Sequence, residues 1–75
     1  MYIYPDKLLD YLTAQGWDAN RFAEELDVPP QEVEKMLSGK RIEVDVARKF
    51  INYFKADLAA EMIDFGKTGV KNPFA

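Results

Sequence analysis

Apolar residues recur along the chain at intervals of three and four, and no β-branched run alternates at period two, a pattern that predicts helices throughout. Five helical segments follow. The first starts near Pro5 and Asp6, where a proline suits the opening turn and an acid complements the helix dipole. Leu8, Tyr11 and Leu12 form its inner face together with Leu9, and Gly16 is the natural stop. Trp17 leads into Asp18, an N-cap for a second helix over Ala19 to Leu26, with Phe22, Ala23 and Leu26 inward. After the turn Asp27-Val28-Pro29, Pro30 opens a third helix running to Ser38, with Val33, Met36 and Leu37 on its apolar face.

That phase leaves Pro30, Gln31, Glu34, Lys35 and Ser38 facing outward, with Glu32 on the flank. Gly39 ends the helix, and Lys40 and Arg41 follow in a loop. The fourth helix, Val44 to Phe54, turns Val44, Ala47, Phe50, Ile51 and Phe54 inward and Arg48, Lys49 and Asn52 to water. Asp57 is placed to cap a fifth helix from Leu58 to Ile63, with Leu58, Met62 and Ile63 apolar. The remainder, FGKTGVKNPFA, is rich in glycine and proline and reads as an arm or a flexible end. The expected organisation is therefore one domain over 1–64 and a tail over 65–75. Tyr2, Ile3 and Tyr4, with Val70 and Phe74, are apolar residues outside the helices, suited to covering the core edge or to a dimer contact.

Length and composition narrow the chemistry. Seventy-five residues suffice for one small core. With no cysteine and no histidine, disulfides, thiolate metal sites and the commonest acid/base side chain are excluded. No glycine-rich phosphate loop is present either, so the chain reads as a non-enzyme with no metal, no cofactor and no small-molecule ligand. Trp17, Phe22, Met36, Phe50 and Phe54 follow the apolar stripes and are assigned to the core. No apolar run approaches the roughly 20 residues of a membrane span, and the start lacks the features of a secretory signal, so a cytoplasmic protein without a membrane partner is expected.

Charge is unevenly distributed. Met1 to Glu34 carries eight acids against two bases, or −6, whereas Lys35 to Ala75 carries five acids against eight bases, or +3. The net charge of −3 is unlike the basic total usual in nucleic-acid binders, but the second half leaves room for a local basic surface.

The segment GWDANRFAEELDVPPQEVEKMLSGKR, with a small residue at Ala23, a three-residue turn and a second helix ended by Gly39-Lys40, has the outline of a helix-turn-helix. It resembles the phage repressor and Cro-type family, also called XRE or lambda-repressor-like, over roughly Leu8 to Ile63. The resemblance implies an all-α, compact five-helix domain with the motif at helices 2 and 3. It also implies a small transcriptional regulator from a phage, mobile element or toxin-antitoxin-like locus, acting as a homodimer on a palindromic site in double-stranded DNA. Carried over by position, Gln31, Glu32, Glu34 and Lys35 face base edges, while Asn20, Arg21, Ser38, Lys40 and Arg41 hold phosphates. These residue types suit those roles, since Gln pairs with adenine, Glu accepts from cytosine and Lys donates to guanine.

Departures from the family pattern are chemically specific. Asp27 stands where glycine is usual, and Ala19 where glutamine often contacts phosphate. Pro29-Pro30 removes a side-chain cap and one N–H that would have met phosphate. Glu32 and Glu34 lie where a phosphate backbone would pass. Like charges about 8 Å apart in water repel by only about 0.5 kcal/mol, but burying a glutamate against DNA without a partner costs several times more. A second reading therefore stands beside the first: a protein-interaction module that keeps the fold and binds a basic partner through the acidic surface of Glu24, Glu25, Glu32 and Glu34.

Overall fold

The structure, a computed structural model, describes residues 1–68. Six helices follow one another: α1 Pro5–Gln15, α2 Ala19–Leu26, α3 Pro30–Leu37, α4 Val44–Tyr53, α5 Ala56–Met62 and α6 Phe65–Thr68. The chain is all-helical, with no strand among the described residues beyond one isolated antiparallel bridge between Ile3 and Ile63. No described helix is long and apolar enough to cross a membrane.

The first three helices stop in the same way. Gly16, Asp27 and Gly39 each adopt left-handed backbone, with φ of 72°, 59° and 72°. In each case the following N–H reaches back five residues, from Trp17 to Leu12 O, Val28 to Ala23 O and Lys40 to Lys35 O, which satisfies carbonyls the helix leaves open. Asp27 is the one non-glycine residue among those described to take this conformation, which aspartate tolerates better than most. α2 begins with the expected cap, the Asp18 carboxylate accepting the Arg21 N–H at 2.8 Å. α3 opens on Pro29 and Pro30 with no side-chain cap.

The core joins all the larger helices. Leu8 and Leu12 of α1, Phe22, Ala23 and Leu26 of α2, Val33 and Met36 of α3, and Ala47 and Phe50 of α4 are buried, with Phe54, Ala59, Met62 and Ile63 closing the base. Phe22 is the hub of the aromatic cluster, its ring within 6.3 Å of the Phe50 ring, 5.7 Å of Phe54 and 6.0 Å of Tyr53. Tyr11 stands edge-on to Phe54 at 4.9 Å, and both burial and a hydrogen bond with Tyr53 push its phenol above the ordinary value. Trp17, half-buried, packs edge-on to Tyr11.

Several expectations are corrected. Val44 is not inward but 67% exposed, because it is the first residue of α4, before that helix meets the body of the protein. α5 begins two residues before Leu58, at Ala56, so Asp57 lies inside its first turn instead of capping it, and Lys55 holds the cap position without a side-chain bond. Ala59, Met62 and Ile63 are buried, while Leu58 is 40% exposed. Leu9 likewise faces water. The five expected helices gain a sixth, since the first four residues of the expected tail form a helical turn with Phe65 packed partly on the core. The rest of that tail, Val70 and Phe74 included, lies outside the described residues.

Two buried residues come from outside the helices. Ile42, in the loop between α3 and α4, and Ile3, before α1, are each 1% exposed. Met1 and Ile42 exchange backbone hydrogen bonds, the Ile42 N–H donating to Met1 O at 2.8 Å and the Met1 ammonium to Ile42 O at 3.1 Å. Tyr4 N–H donates to Met62 O and Asp64 N–H to Tyr2 O, flanking the Ile3–Ile63 bridge. The segment before α1 is thus held between the α3–α4 loop and the end of α5, with Tyr2 half-buried and Tyr4 exposed.

Candidate functional site

α2 and α3 pack against each other more extensively than any other pair of helices, and α1 backs α3. The packing rests on a small side chain and two larger apolar ones: Ala23 allows close approach, and Val33 and Met36 seat α3 in the core. Gly39 extends the same support, because its Cα faces the ring of Pro5 closely enough that an added Cβ would lie 3.6 Å from the Pro5 Cγ. α3 is therefore fixed along one side and open along the other.

The open side is a strip of i, i+3, i+4 and i+7 positions. Gln31, Glu34, Lys35 and Ser38, with Lys40 beyond the helix, line one shallow depression of about 280 Å³. Five of the nine sequence-predicted contact residues are thereby brought together. Lys40 and Arg41 are exposed, and neither side chain has a hydrogen-bond or ion-pair partner among the described residues. Two free cations at the end of a helix also sit favourably against its dipole.

The remaining predicted residues are placed differently. Glu32 does not line the depression: its side chain is only 17% exposed and its Oε1 accepts from the Lys35 Nζ at 3.2 Å. Its Oε2 is buried without a hydrogen-bond partner among the described residues, a cost the first-turn position on α3 and the nearby ammonium offset. Lys35 is consequently engaged within its own helix. Arg21 is also engaged, its guanidinium 3.0 Å from Glu25 and 5.5 Å from the centre of the Trp17 ring. Such pairs on an exposed helix contribute only a few tenths of a kcal/mol each, so both cations can be redirected by a stronger partner.

Asn20 belongs to a second, larger depression between α2 and the turn, lined also by Ala23, Glu24, Asp27, Val28, Pro29 and Pro30. Its polar wall is acidic, and its floor is aliphatic. Lys49 of α4 donates to the Asp27 carbonyl at 2.6 Å, with the Asp27 carboxylate 3.7 Å away. This lysine, read from the sequence only as a water-facing residue of α4, ties α4 to the turn that sets the angle between α2 and α3. Sequence spacing carries no signal for a contact across 22 positions.

One further cation reaches α3 from outside the predicted set. Lys67 of α6 lies 4.7 Å above the Tyr2 ring and 3.4 Å from the Gly39 carbonyl oxygen. No protein-family model matches the chain, nor does any curated protein or solved structure.

Proposed function

We propose that the chain is a small sequence-specific DNA-binding regulator of the lambda-repressor-like, helix-turn-helix type, with α2 and α3 as the motif. In this reading α3 enters the major groove, Gln31, Glu34 and Lys35 meet base edges, and Ser38, Lys40 and Arg41 meet phosphates. The molecule acts as a dimer, presenting two copies of α3 to half-sites about one helical turn apart. The observation that carries this reading is the solvent-facing strip of α3 that runs from Gln31 to Ser38 and leads to two cations without partners among the described residues.

The acids are less of an obstacle than their positions in the sequence imply. Glu32 is turned into the protein and shares its charge with Lys35, so on the open strip Glu34 is the acid left to pair with a cytosine amine or remain in water. The paired prolines make the start of α3 poor in donors, which shifts the expected phosphate contacts to its other end.

Fluorescence anisotropy on a randomised duplex pool and on the DNA upstream of the coding sequence, at two salt concentrations, tests the reading. Salt-sensitive binding with a preference for one sequence supports it, and Gln31→Ala should then weaken the preferred site selectively while sparing random DNA. A second reading, a module that binds a basic protein surface, is favoured by the depression walled by Glu24 and Asp27 and by the neutralisation of Arg21 and Lys35 within their own helices. Absence of DNA binding even at low salt would decide for that alternative.

A further inference from the structure

We infer that Lys67 is a phosphate-contacting residue of the same DNA interface, delivered to the end of α3 by the C-terminal turn. The inference rests on the DNA-binding reading and extends its contact surface to a part of the chain that no helix-turn-helix residue occupies.

Its basis is a convergence of three segments. The Lys67 ammonium is 3.4 Å from the carbonyl oxygen of Gly39, the residue directly before Lys40 and Arg41. It is held there from two further sides. The Tyr2 ring lies beneath it at 4.7 Å, and the Lys67 N–H donates to the Asp64 Oδ1 at 3.0 Å, which fixes the start of the turn that carries it. Tyr2 is in turn anchored by its carbonyl, which accepts the Asp64 N–H at 2.9 Å.

The charges at this corner are predominantly positive. Lys40 and Arg41 come from the loop, Lys67 from α6, and the Met1 ammonium stands against Ile42, near enough to Arg41 to be affected by its charge. Opposing them are Glu43, which also acts on the Met1 ammonium, and Asp64, whose carboxylate already accepts a backbone N–H. Neither acid is ion-paired to Lys67. A carbonyl and an aromatic face position an ammonium while leaving its full charge for an outside anion. With Lys40 and Arg41 it forms a set of three cations at one end of α3. A duplex seated on the open strip brings its phosphates to that end, because the other end opens on two prolines and has no basic residue in its first turn.

The test measures the salt dependence of binding for wild type, K67Q and K67R, with K40A/R41A as reference and thermal melts of every variant. One lost phosphate contact reduces the slope of log K against log salt by about 0.9, so between roughly 50 and 200 mM salt K67Q should lose about threefold less affinity than wild type. K67R should keep the wild-type slope. A reduced slope in K40A/R41A with an unchanged slope in K67Q would overturn the inference while leaving the DNA-binding reading intact, and a lowered melting temperature alone would make Lys67 a structural cap. No salt-dependent binding by wild type would remove the reading on which the inference rests.

Discussion

The third helix and the loop that follows it use similar residues to opposite effect. Within the helix, Lys35 of the last turn is drawn back onto Glu32, and the first turn opens on two prolines, so charge is satisfied internally and donors are scarce. Beyond it, Lys40 and Arg41 face water without partners among the described residues, and Lys67 is held by a carbonyl and a ring, neither of which neutralises its charge. A lysine counted in the sequence is therefore not a lysine available to a ligand. Availability depends on whether an acid stands one helical turn away, and along α3 that condition changes within five residues, from Lys35 to Lys40.

The sharpest way to break this contrast is to remove the free end. K40A/R41A should weaken binding to every DNA sequence by about 2 kcal/mol at roughly 0.1 M salt and lower the salt slope by about 1.8, as measured by anisotropy titrations. The contrast is sharpened by releasing the engaged lysine. E32Q leaves Lys35 without an ionic partner and free for a base edge, so affinity for the preferred site should rise by up to about 1 kcal/mol. E34Q serves as the comparison, because it relieves a through-space repulsion of only about 0.5 kcal/mol and should raise affinity about twofold without changing the number of contacts. Equal affinities of E32Q and wild type for the preferred site would mean that Lys35 is no less available than Lys40.

The turn between helix and free loop can be tested separately. Gly39 has φ of 72° and room for a Cβ against Pro5, so G39A should cost about 1 kcal/mol of stability through backbone strain and not through a clash. Urea melts measure this. The expected signature is a lower midpoint with an unchanged m-value.

Much of the helical framework was legible in the sequence because caps and stops are local. Asp18, Gly16, Gly39 and the prolines fixed the limits of α1 to α3 to within a residue, and the buried face of each followed from apolar spacing. What spacing cannot register is a buried residue with no helix around it, which is why Ile3 and Ile42 were not assigned to the core. Val44 failed for a different reason: it fits the apolar spacing of α4 but opens the helix, before that helix reaches the body of the protein, and spacing does not show this. In the candidate site the exposed strip was legible, and the Glu32–Lys35 spacing was visible, but the inward turn of Glu32 depends on what α3 packs against. Lys67 was hidden in a segment read as tail, and its proximity to Gly39 is set by the bridge at Ile3 and Ile63.

That bridge has a consequence for the order in which the molecule assembles. Helices α1 to α3 meet through short connections and can form early, whereas pairing Ile3 with Ile63 closes a loop spanning almost the whole described chain and gains nothing until the intervening helices have collapsed. The clasp is thus a late event. Weakening it, for example by Ile3→Val, should hasten unfolding while leaving the folding rate nearly unchanged in a chevron plot. The basic corner at the end of α3, which depends on that clasp for Lys67, would then be the last part of the surface to be completed and the first to come apart.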